Sequence, residues 1–166
     1  MKILIFGAGN ILLSDEGFGV HFVRYLEENF DIPENVELYD GGTMGIMVTH
    51  KFEEADRVYL IDTVESKEEP GAIFRYEKNE IMLGNLPLKL SPHQIGIQEV
   101  LTLSELRGRC PECLTFFGVV AESLEPGVEL SPRLERRLEE LAGFLVAEMA
   151  MEGVILPEKG AGISHP

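Results

Sequence analysis

Basic side chains are scarce in this sequence. Lys and Arg number 14 against 29 Asp and Glu, which leaves a net charge of −15. A surface of that sign repels the phosphate backbone of nucleic acids and anionic membranes, and excludes both as partners. Tryptophan is absent and cysteine occurs twice. That is too little for a disulfide scaffold, and a reducing, cytoplasmic setting is expected. No apolar run approaches the ~20 residues that cross a bilayer. The short apolar stretch after Lys2 is also too brief for the apolar part of a signal peptide.

The chain has 166 residues, 45% of them apolar, enough for one domain with a substantial core and no structural metal. We read residues 1–153 as that domain and 154–166 as a flexible tail, frayed from Pro157 onward. No repeat or linker divides it. Lys2 to Phe6 is an almost unbroken apolar strand, the pattern of a parallel strand buried on both faces. A helix is expected from near Asp15 to Phe30, a strand over Val36–Tyr39, a helix over Met44–Phe52 and a strand from Arg57 to Ile61. Gly71–Tyr76 reads as a fourth strand and Leu114–Val120 as a fifth. Between them Ser91-Pro92-His93-Gln94 opens a helix with a capping box, with Ile97, Val100, Leu101 and Leu106 on its apolar face and Gly108 to end it. Ser131-Pro132 opens the last helix, whose core stripe is Leu134, Leu138, Leu141, Leu145 and Met149. Strands alternating with helices give an α/β class with a mostly parallel sheet and helices on both faces.

Such sheets bind ligands at the carboxyl ends of their strands. Asp40 and Asp62 end the second and third strands, Glu16 follows the loop leaving the first, and Glu122 follows the fifth. Four acids therefore gather at one edge. His93 sits in the first turn of its helix, whose positive end disfavours the protonated ring and leaves a neutral ligand or base. Glu16, Asp62 and His93 together would suit a borderline divalent metal. Each acid alone reads better as a helix cap or a solvated loop charge, and His93 alone as a surface histidine in a first turn; the spacing carries no ligand signature. Asp40-Gly41-Gly42-Thr43 is either a turn or a functional unit, with Asp40 as a base or as a carboxylate that orients a peptide and the glycine amides open to an oxyanion. Gly7-Ala8-Gly9-Asn10 opens like a dinucleotide fingerprint, but Leu12 stands where its third glycine belongs. A tight turn is the plainer reading, and it can carry Asp15 and Glu16 to the crevice. Cys110-Pro111-Glu112-Cys113 has the spacing of half a zinc site, and no second half completes it. Two thiols or a labile disulfide is expected. His21 is expected at the surface.

The stretch Gly7-Ala8-Gly9-Asn10-Ile11-Leu12-Leu13-Ser14-Asp15-Glu16-Gly17-Phe18-Gly19-Val20 resembles the N-terminal motif of the hydrogenase maturation endopeptidases. Asp40-Gly41-Gly42-Thr43, Ser91-Pro92-His93-Gln94 and the block from Gly118 to Pro126 agree in order, so the resemblance runs from Met1 to about Gly153. It implies a three-layer α/β sandwich: a twisted five-stranded sheet, mostly parallel with one antiparallel strand, between helices. It also implies an enzyme that removes a C-terminal extension from a nickel-iron hydrogenase large-subunit precursor after nickel insertion. By resemblance Glu16, Asp62 and His93 bind that nickel, which arrives with the substrate and is not held at rest. Oxygen and nitrogen donors suit a metal that is borrowed and released. Asp40, with Asp62 and Glu16, is the catalytic expectation, Asp40 serving as base by position only. A monomer is expected. The alternative on the same ligands is a non-catalytic nickel-binding chaperone or checkpoint. Ala121 stands where the family usually carries Pro, which bears on loop stiffness, and the two cysteines are not part of the family pattern.

Overall fold

The computed structural model describes residues 1–42, 49–82 and 100–160. Five strands form one sheet: β1 (Ile3–Ala8), β2 (Val36–Gly42), β3 (Arg57–Val64), β4 (Ile73–Glu77) and β5 (Cys113–Val120), in the order β2-β1-β3-β5-β4. All neighbours are parallel except β4, which runs antiparallel to β5. The helices are α1 (Phe18–Asn29), α2 (Thr49–Glu54), α3 (Lys78–Met82), α4 over residues 100–106 and α5 (Pro132–Met151). The mixed five-stranded sheet expected from the sequence is what forms.

Side chains alternate across the pleat, and the two halves of each central strand enter different cores. Ile3, Ile5, Tyr59, Ile61, Phe117 and Val119 pack against α1 and α5. Leu4, Phe6, Val58, Leu60, Leu114 and Phe116 pack against the α2, α3 and α4 layer through Phe52, Ile81, Val100 and Leu101. Every residue of β1 and of β3 is buried, which is why neither shows an alternating polar pattern. The α5 stripe packs as expected, with Leu134, Leu141, Leu145 and Met149 buried and Leu138 partly so. Each such side chain contributes about 2 kcal/mol by leaving water.

Several boundaries differ from expectation, each for a local reason. The helix expected from Asp15 begins at Phe18, because Ser14–Gly17 forms a 3-10 turn instead. Glycine packing dictates this. A Cβ on Gly9, whose φ is +135°, would lie 1.9 Å from the Glu16 carbonyl oxygen, and one on Gly19 would lie 2.3 Å from both the Ala8 and Ile61 oxygens. Bare backbone is the only thing that fits, so the turn is pressed onto the ends of β1 and β3. The helix expected over Met44–Phe52 appears as Thr49–Glu54; residues 43–48 lie outside the described residues, as do 83–99 and 161–166. Leu106 is exposed where a core position was expected, and Ser104 is buried instead. Gly108 does end that helix, at φ +68°, with its N–H on Glu105. Residues 157–159, expected to fray, pair with the end of α1: Asp31 N–H donates to Pro157 and Lys159 N–H to Asn29, each at 2.8–2.9 Å. Leu156, buried beside Phe30, anchors them.

The loop carrying the 3-10 turn is joined to the loop after β5 by one buried carboxylate. Asp15 Oδ2 accepts from the backbone N–H groups of Glu122 and Ser123 and from Ser131 Oγ, each at 2.9 Å, while Oδ1 accepts from Ser131 N–H at 2.7 Å. Ser131 is the N-cap residue of α5, yet its hydroxyl makes no cap bond to its own helix. It is spent on Asp15.

Cys110 and Cys113 lie at the opposite, amino edge of the sheet, and both are free. Burial, partly offset by Lys78, pushes the Cys110 thiol up, whereas Cys113 is exposed. Timed alkylation followed by mass spectrometry should therefore label Cys113 well before Cys110 in the folded protein. Truncating Asp15 to Ala orphans four donors around a buried site. The loss should be about 3 kcal/mol, read as a fall in melting temperature of roughly 6–12 °C for a chain this size. A melting curve superimposing on that of the wild type would mean that Asp15 does not clamp the two loops.

Candidate functional site

Parallel pairing places the carboxyl ends of β1, β2, β3 and β5 along one edge, and the expected site residues meet there to different degrees. Asp62 is paired in register with Gly118 of β5 and is 0% exposed. Although it lies near the crevice edge, it is fully enclosed. Its Oδ1 accepts the Thr63 N–H at 2.7 Å, which fixes the carboxylate against its own backbone. By the alternation of β3 it shares the face of Leu60 and Val64.

Glu16 is half-buried on the 3-10 turn, its N–H bonded to the Leu13 carbonyl at 3.1 Å. The contacts of Gly9 and Gly19 set that turn over β1 and over Ile61, the residue before Asp62. Glu16 and Asp62 are thus delivered to one edge by backbone packing rather than by side-chain choice. His93 lies outside the described residues.

Asp40 goes elsewhere. It pairs with Gly7, which pairs with Ile61, so Asp40 lies on the α1 face while Asp62 lies on the other. Two strand spacings separate them, about 10 Å. Asp40 is exposed, with Arg24 of α1 at 3.7 Å. The following Gly41 is required, since a Cβ there would lie 2.0 Å from the Phe6 ring. Phe6 in turn stacks on Tyr39, ring centres 5.4 Å apart. Glu122 is exposed; it joins the edge through its backbone N–H on Asp15. Among the described residues no three His, Cys, Asp or Glu side chains converge as a complete metal site. The donors present at this edge are carboxylates, which suit a hard or borderline divalent ion.

Two groups gained importance once the chain was folded. Asp15 was read together with Glu16 as approaching the crevice, and nothing in spacing distinguishes a carboxylate that binds loops from one that binds a ligand. His21, expected at the surface, is half-buried. Burial, with Arg24 nearby, holds its imidazole below its ordinary range, against the opposing pull of Glu135, Asp15 and the Val128 backbone. No helix among the described residues is long and apolar enough to cross a membrane.

Comparison with known proteins agrees with this architecture. A family model described as hydrogenase maturation protease matches residues 20–148. The hydrogenase 2 maturation protease of Escherichia coli (strain K12) is 38% identical over 157 residues, covering 93% of this chain and 94% of that protein. The hydrogenase expression/formation protein HupD of Bradyrhizobium diazoefficiens is 34% identical over 165 residues, 99% of this chain and 86% of that one. The solved structure of the hydrogenase maturating endopeptidase HybD from E. coli superimposes with a TM-score of 0.90 at 35% identity, over 96% of this chain and 99% of that one. Matched along nearly its whole length in sequence and in fold, the chain belongs to the hydrogenase maturation proteases, enzymes that hydrolyse peptide bonds.

Proposed function

We propose that this protease removes the C-terminal extension of a nickel-iron hydrogenase large-subunit precursor once nickel has been inserted, and that Glu16, Asp62 and His93 hold the nickel the precursor brings. The observation that carries the reading is the enclosed Asp62 carboxylate near the carboxyl end of β3, two residues before Val64 rather than at the strand's last position as expected, on the same edge as the glycine-locked turn bearing Glu16. A buried carboxylate gains most from a nearby cation, because little water competes. Two carboxylates and an imidazole form an open donor set, with positions left for the substrate's own ligands. Weak binding at rest follows from the same set, since no thiolate contributes.

Nickel shared between the two proteins would register the scissile peptide against the sheet edge and polarise its carbonyl. Asp40 is on the peptide-handling side of this scheme. About 10 Å from Asp62 and across the sheet, it would orient the extended chain, being too far from the nickel-polarised carbonyl to act as the base for the water that attacks there. Water adds to the carbonyl carbon, the amide C–N bond breaks, and the proton passes to the leaving amine. The precursor's released end would then be free to fold inward, which makes the step one-way.

Two outcomes test this. Asp62→Asn retains an oxygen for the Thr63 N–H but loses the charge. Melting temperature should hold within a few degrees while processing of nickel-loaded precursor falls about 100-fold, the equivalent of ~3 kcal/mol of charge stabilisation. Wild-type rates in that variant would remove Asp62 from the site. Nickel-free folded precursor should not be shortened, as read by the C-terminal mass of the large subunit, and chelator added before mixing should block processing. Nickel-loaded precursor that is bound but never shortened would point instead to the checkpoint role.

A further inference from the structure

The loops over residues 10–17 and 121–131 are stitched into a single two-layered lip at the carboxyl edge. Leu13 and Gly127 form a parallel bridge. Ser14 N–H donates to Gly127 at 2.8 Å, Gly127 N–H to Leu12 at 2.9 Å, Asp15 N–H to Ser123 at 3.0 Å and Ser14 Oγ to Glu125 at 2.6 Å. Ser14 accepts a left-handed backbone, φ +50°, to make these bonds. Such a conformation persists in a non-glycine residue only where its surroundings enforce it.

What this rigid lip displays is unusual for the molecule. Of the nine large apolar side chains exposed among the described residues, three belong to it: Leu12 at 62%, Leu124 at 45% and Val128 at 64%. Interleaved with them are Glu122, Glu125 and Glu129, all exposed, and neither loop contains a Lys or Arg. The lip is continuous with the candidate site, because Glu16 belongs to it and Asp15 ties its two layers together. Fixed apolar side chains in water between unneutralised acids describe a surface built for a complement.

We propose that this lip is where the precursor docks, and that it receives a precursor segment in which apolar side chains are flanked by Lys or Arg. The proposal rests on the reading of the chain as a large-subunit processing protease and adds the surface that selects the substrate. Hydrophobic contact with Leu12, Leu124 and Val128 supplies affinity, and the three glutamates supply orientation and encounter rate. Leu12, Leu124, Val128 and the three glutamates act in binding and leave the bond-breaking step to Glu16 and the strand ends.

The test uses the full-length protease and nickel-loaded large-subunit precursor purified from cells lacking the protease. Affinity is measured separately from cleavage. Leu124→Asp with Val128→Asp should weaken precursor binding and raise KM at least tenfold, with kcat and melting temperature near wild type. Glu125→Lys with Glu129→Lys should flatten the decline of association rate with added salt that the wild type shows. If wild type cleaves the precursor and both double variants bind it as tightly and as salt-dependently as wild type, the lip is not the docking surface. If wild type binds without cleaving, the protease reading fails, while weaker binding by the lip variants still supports the docking surface. Loss of kcat with unchanged affinity would overturn the proposal by placing the substituted side chains in the chemistry.

Discussion

Two oxygens of Asp15 hold together parts of the chain that, apart from the single Leu13–Gly127 bridge, no strand or helix joins. The loop after β1, the loop after β5 and the first residue ahead of α5 all converge on this carboxylate, and all four of these bonds are 2.7–2.9 Å long. Charged hydrogen bonds in an enclosed setting are stronger than neutral ones, and leaving any of these donors unmet would be costly. The placement of Glu16 follows from it. The turn is held from below by the strand ends and from the side by Asp15, so the neighbouring acid has little freedom. One acid of the Asp15-Glu16 pair is consumed by structure.

A second constraint is the parity of the strands. Adjacent residues on a strand face opposite layers, and the parallel registers of β1 with β2 and β3 carry this parity across the sheet. Asp40 and Asp62 therefore cannot share one small ligand, although each lies two residues from the carboxyl end of its strand on the same edge. The sheet divides the edge into a side toward α1, where Asp40 meets Arg24, and a side toward α2–α4, where Asp62 is enclosed. A long substrate laid across the strand ends would touch both.

Much of this was legible from residue order. Unbroken apolar strands, the capping pattern before α5 and the Leu134 to Met149 stripe all gave the right elements, because each rests on local periodicity. So did the gathering of acids at one edge, which needs only parallel strands and a count of where they end. Legibility stopped where the deciding contact is distant. The start of α1 moved from Asp15 to Phe18 because Gly19 packs on Ile61, a residue more than forty positions away. Ser104 and not Leu106 lies on the buried face of α4, because it follows Val100 by four positions and Leu101 by three while Leu106 falls on the opposite side; residue type, leucine against serine, obscured what the spacing gives. The structural role of Asp15 was hidden because two adjacent acids look alike until the partner loop arrives. The tie between Lys159 and Asn29 has no local signature either.

The sequence separation of the Asp15 bonds has a consequence for how the enzyme comes into being. Its partners lie 107, 108 and 116 positions further along the chain. Closing so long a loop is entropically expensive and slow relative to forming a helix or a neighbouring strand pair. During synthesis, β1 and the turn bearing Glu16 leave the ribosome well before the 121–131 segment exists to clamp them. A nascent or partly refolded chain thus has most of its sheet and none of its finished edge. The finished edge arrives in one late step, with the segment that precedes the last helix.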